Sequence, residues 1–102
     1  MKKIGNFEYD PEVLEKLCKE NDISYLALFG SYLHGDNKSD SDLDFLVKFS
    51  DTSKMSLFDF VRVQLKFADN LGKKVDLVTV DGIDPYIKEK VFGEAKTVYQ
   101  ND

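Results

Sequence analysis

The stretch Gly30-Ser31-Tyr32-Leu33-His34-Gly35, followed by Ser41-Asp42-Leu43-Asp44-Phe45-Leu46-Val47, decides how this chain is read. Leu43 to Phe49 is apolar after its acidic start and reads as a strand. Asp42 and Asp44 stand two residues apart at its mouth, and side chains alternate along extended backbone, so both carboxylates leave from one face. Two charges about 7 Å apart repel by roughly 2 kcal/mol at an effective dielectric of about 20. A divalent cation between them turns that repulsion into attraction. Oxygen-only ligands suit magnesium or manganese better than zinc.

Working outward, Ser24 to Phe29 reads as a buried strand ending at Gly30, and Gly30 to Ser41 as a polar connection with one helical turn after Ser31. So short a connection favours antiparallel pairing of the two strands. Upstream, Asp10 caps a helix with Pro11 at its first position and an apolar stripe of Val13, Leu14, Leu17 and Cys18, ending near Asn21. Downstream, Ser56 and Asp59 form a capping-box pattern. The helix they open has a broad apolar stripe of Leu57, Phe60, Val61, Leu65, Phe67 and Ala68, and it ends at Leu71-Gly72. Val75 to Val80 is a third strand, Asp84-Pro85 starts a helix to about Ala95, and Thr97-Val98-Tyr99 makes a short edge strand. The expectation is an α/β fold, a small mixed β-sheet flanked by helices, as one domain over residues 1–102.

Composition narrows the function. A chain of 102 residues with 42% hydrophobic content holds one compact core. No apolar run reaches the ~20 residues of a membrane span. The opening Met1-Lys2-Lys3-Ile4-Gly5-Asn6-Phe7-Glu8 lacks a secretory apolar region, so a cytoplasmic location with no membrane partner is expected. Cys18, the sole cysteine, is read as a small buried hydrophobe. A net charge of −5, with Arg62 the only arginine, argues against a long nucleic-acid substrate, which needs cations to neutralise phosphates. A small nucleotide that brings its own metal remains compatible.

Three further positions complete the candidate site. Asp76, within Val75-Asp76-Leu77-Val78, is an acid in an apolar strand, where an unpaired buried charge is expensive. Beside the second strand it supplies a third carboxylate. Gly30 lets a ligand approach the backbone, and Ser31 offers a hydroxyl and an amide to a phosphate. Gly35 keeps the following turn open.

Gly30-Ser31, ten residues, then Asp42-Leu43-Asp44, with Asp76 later, resembles the signature of the DNA polymerase beta-like nucleotidyltransferase superfamily. The stretch from about Ile23 to Tyr99 is most similar to its minimal nucleotidyltransferase (MNT) branch. That resemblance implies the nucleotidyltransferase fold and transfer of a nucleoside monophosphate from ATP or another NTP. It further implies two Mg2+ ions (Mn2+ being an alternative) held by Asp42, Asp44 and Asp76. Asp76 would help deprotonate the acceptor hydroxyl, and Gly30 and Ser31 would position the phosphates. Many relatives carry Ala-Arg before the second glycine, where this chain has Leu33-His34-Gly35. MNT proteins are commonly antitoxins of HEPN-domain RNase toxins, which implies AMP transfer to a toxin tyrosine. The alternative is a non-catalytic antitoxin that neutralises its HEPN partner by binding alone.

Overall fold

The computed structural model describes residues 1–50 and 55–101. Its centre is a four-stranded mixed sheet of β3 (Ile23–Phe29), β4 (Leu43–Phe49), β5 (Val75–Thr79) and β6 (Lys96–Gln100). The spatial order is β5-β4-β3-β6, with β3 antiparallel to both neighbours and β4 parallel to β5. The short β3–β4 connection pairs its strands antiparallel, as its length required. The helical crossover pairs β4 with β5 in parallel.

Helices α1 (Pro11–Glu20) and α3 (Leu57–Leu71) cover one face of the sheet. The Asp10 carboxylate accepts the Glu12 N–H at 3.0 Å and starts α1. At α3 the capping box closes both ways: Asp59 N–H donates to Ser56 Oγ at 3.1 Å and Ser56 N–H to Asp59 Oδ2 at 3.2 Å. Gly72 then takes the left-handed conformation (φ 67°) that ends the helix. Leu14, Leu17 and Cys18 from α1 meet Leu26, Leu28, Phe45, Val47 and Leu77 from the strands. Burial pushes the Cys18 thiol up to about 12, so it stays a neutral packing group. Short helix α2 (Ser31–His34) lies in the β3–β4 connection, and α4 (Pro85–Glu94) precedes β6.

Two expectations change. The buried stripe of α3 runs through Val63 and Phe67, with Phe60 and Ala68 packed at its margin. Leu57, Val61 and Leu65 face solvent instead. Apolar residues occupy two sides of this helix, and a single broad stripe drawn through both merged a buried face with an exposed one.

The second change is an addition. Strands β1 (Lys2–Ile4) and β2 (Phe7–Tyr9) form an N-terminal hairpin around Gly5-Asn6. It buries Phe7 and Tyr9, and the Phe7 ring meets Phe45 edge-on at 5.7 Å. Its turn is fastened to α2: Asn6 N–H donates to the Tyr32 carbonyl at 2.8 Å, and a β-carbon on Gly5 would collide with that carbonyl oxygen. The hairpin thus braces the connection that carries Gly30 and Ser31. Among the described residues no helix is long and apolar enough to cross a membrane.

Candidate active site

The sheet register gathers the predicted positions at one end. Asp44 pairs with Phe29, the residue before Gly30, across the β3–β4 ladder. On its other side it pairs with Asp76 across the parallel β4–β5 ladder. Partners in register point from the same face. Asp42, two residues before Asp44, belongs to that face as well. It is opposite to the one packed by α1 and α3, since Leu43, Phe45 and Val47 alternate with the acids into the helix-covered core.

Gly30 adopts φ 83° and ψ −156°, a region that side chains other than glycine scarcely enter. The Asp44 carboxylate occupies the place where its β-carbon would be, with Asp44 Cγ only 3.1 Å from that point. The bend brings Ser31 to the start of α2, where its carbonyl accepts the Asp36 N–H at 2.9 Å. Gly35 closes that turn in the left-handed region (φ 76°). Gly30, Ser31 and Asp44 are therefore neighbours. The ten residues between Ser31 and Asp42 fold back and return the chain to the strand end where it left.

Of the three acids, Asp44 is the half-buried one, whereas Asp42 and Asp76 are exposed. The cost expected for a charge on the third strand does not arise at Asp76, because β5 is the sheet's edge strand and its acid reaches water. Asp44 sits in the interior of the sheet between Gly30 and Asp76. Burial, then the nearby Asp76 and Asp42 charges, push its carboxyl up to about 6. The donor set is oxygen-only and its mutual repulsion is of the kind a hard divalent cation relieves, so its chemistry fits such an ion. Among the described residues, no three His, Cys, Asp or Glu side chains are gathered closely enough to hold one as they stand.

His34, at the end of α2, is turned to α4: its Nε2 lies 3.1 Å from Glu94 Oε2. Lys38 is exposed in the same loop. Sequence reasoning passed over Lys73 and Lys74, which lie just before β5 and line a cavity of about 410 Å3 with Tyr32, Ser39, Asp40, Ser41 and Gly72. Their position before an acid-bearing strand was legible. What that strand lies against was not.

Comparison with known proteins agrees with this arrangement. The family described as polymerase beta nucleotidyltransferase matches residues 12–102. A provisionally named protein adenylyltransferase of Methanocaldococcus jannaschii (MJ0435) is 39% identical over 72 residues, covering 71% of this chain and 75% of its own. The protein adenylyltransferase MntA of Thermococcus cleftensis is 36% identical over 69 residues, 68% of each chain. A solved structure described as a provisionally assigned minimal nucleotidyltransferase superposes with a TM-score of 0.71 at 35% identity, covering 84% of this chain and 86% of that one. A toxin-antitoxin crystal structure with AMP-PNP shares the fold, with a TM-score of 0.74 at 23% identity over 92% of this chain and 76% of that one. A strand-end acid packed against the glycine of a Gly-Ser turn, a second acid in parallel register with it, and a family match spanning that whole unit have one common account: the chain is a nucleotidyltransferase belonging to the polymerase beta family.

Proposed function

We propose that this chain is a magnesium-dependent protein adenylyltransferase, an antitoxin that transfers AMP from ATP to a tyrosine of a HEPN-domain RNase toxin. The observation that carries the reading is the meeting of Gly30, Asp44 and Asp76 at one sheet end. The names of its protein adenylyltransferase relatives support the choice of a protein acceptor. The net charge of −5 supports it too, by arguing against a long nucleic acid. A cytoplasmic location belongs to the same reading.

In this mechanism Asp42, Asp44 and Asp76 would hold two Mg2+ ions, with Mn2+ able to replace them. When bound, the metal withdraws charge from the phosphate and makes the acceptor hydroxyl easier to deprotonate. Gly30 leaves the phosphates room to approach the backbone, and Ser31 donates its hydroxyl or amide to them. Asp76, reaching water at the edge strand, helps take the proton from the tyrosine hydroxyl. The tyrosine oxygen forms its bond to the α-phosphorus as the bond to the β-phosphate bridging oxygen breaks, giving AMP-tyrosine and pyrophosphate.

A second reading, neutralisation by binding alone, draws on His34, which stands where many relatives carry arginine and is engaged with Glu94. One experiment separates the two. The HEPN partner is incubated with ATP, magnesium and this protein, and its intact mass is measured. Addition of AMP by wild type but not by Asp42→Asn or Asp44→Asn supports transfer. Unchanged toxin mass with full neutralisation by both the wild type and an Asp42→Asn/Asp44→Asn double variant supports masking.

A further inference from the structure

The N-terminal hairpin precedes residue 12, where the family match begins, yet it touches both halves of the candidate site. Its base is seated on the sheet. Phe7 and Tyr9 are buried with their rings stacked at 5.0 Å, and Phe7 meets Phe45 edge-on. Phe45 is the residue after Asp44, so the base of the hairpin rests on the strand that carries the half-buried acid.

The tip of the hairpin reaches the other half. Asn6 N–H donates to the Tyr32 carbonyl at 2.8 Å, one residue beyond Ser31. The Asn6 side-chain amide donates to Asn37 Oδ1, also at 2.8 Å. Gly5, at φ 58°, lies so close that a β-carbon there would run into the carbonyl oxygens of Tyr32 and Leu33. Asn6 therefore ties the first turn of α2 to the segment that leaves it, across the left-handed turn at Gly35.

That segment needs an outside tie. Helix α2 has four residues, too few to be stable by its own hydrogen bonds. Its internal bonds are His34 N–H to the Gly30 carbonyl at 3.4 Å and Asp36 N–H to the Ser31 carbonyl at 2.9 Å. A loop that must be ordered when the nucleotide arrives loses affinity to that ordering, whereas one ordered beforehand does not.

We propose that Asn6 is a positioning residue for nucleotidyl transfer. The hairpin is a bracket, seated beside Asp44 on β4, that holds the Gly30-Ser31 turn in its phosphate-receiving form before nucleotide binds. Asn6 touches no reacting atom and acts through Tyr32 and Asn37. This rests on the nucleotidyltransferase site described above and adds the element that presets it.

The test is a double-mutant cycle of Asn6→Ala and Asn37→Ala, with Val63→Ala as a variant weakened in the core and far from the tie. ATP with magnesium is titrated calorimetrically into each, and amide exchange at His34 and Asp36 is followed in the nucleotide-free proteins. Asn6 is exposed and Asn37 only half-buried, so both single variants keep the fold. Each is expected to weaken ATP by roughly three- to tenfold and to quicken exchange of the Asp36 amide. The double variant should be no worse than either single one, because all three lose the same bond. Val63→Ala should lose stability and keep its ATP affinity. Wild-type affinity in Asn6→Ala, additive losses in the cycle, or an equal loss in Val63→Ala overturns the bracket while the nucleotidyltransferase site stands. Failure of the wild type to bind ATP overturns both.

Discussion

The Asp44 carboxylate fills the space that a β-carbon on residue 30 would occupy, joining the two halves of the motif by direct contact. Gly30 is thus required twice, once by its φ of 83° and once by the carboxylate over it. Gly30→Ala is expected to cost about 1–3 kcal/mol and to displace Asp44, abolishing nucleotidyl transfer. Urea denaturation and the toxin mass assay read the two effects. A variant as stable and as active as wild type would show that the contact is dispensable.

Asp44 also gives the metal-free protein a pH-dependent stability of defined sign. Its carboxyl is raised from 3.8 to about 6, so between those values the folded chain binds the proton more tightly than the unfolded one. Stability is therefore highest below the lower value and falls as pH rises through the window. The loss is at most about 3 kcal/mol. Asp44→Asn should flatten this slope and stabilise the apoprotein at pH 7. Denaturation midpoints in chelator across the window test it, and equal slopes in both proteins would refute the assignment.

Much of this was legible along the chain, for reasons that differ by element. Strands β3 and β4 announced themselves as apolar runs, and the ends of α1 and α3 as caps whose hydrogen bonds are present. The hairpin went unseen because three-residue strands leave almost no periodicity, although Gly5-Asn6 between Ile4 and Phe7 is a two-residue turn pattern. At the site, the sequence singled out Asp42, Asp44 and Asp76 as candidates but could not say which one is half-buried. That depends on strand order, since β5 is an edge and β4 is interior. The cavity that Lys73 and Lys74 line with Gly72 and the 39–41 loop has no signature along the chain, because it joins segments thirty residues apart.

Magnesium should stabilise the folded chain if the acids hold it. At ten times the dissociation constant the gain is about 1.4 kcal/mol. Thermal melts with increasing MgCl2 are expected to shift upward for wild type and to stay put for Asp42→Asn/Asp44→Asn. An equal shift in both would assign the ion to other groups.

The two apolar sides of α3 predict opposite outcomes for neighbouring substitutions. Val63 is 4% exposed and belongs to the core, whereas Leu65, on the other side, is 57% exposed. Val63→Ala removes two buried methyl groups and leaves a gap beside the sheet, which should cost about 1–3 kcal/mol. Leu65→Ala removes more carbon but little burial, and alanine favours the helix, so its effect should stay within about 0.5 kcal/mol. Paired urea denaturation curves decide this. A larger loss at Leu65 than at Val63 would mean that the helix is rotated about its axis from the position described, or that the Leu57-Val61-Leu65 side is covered in solution.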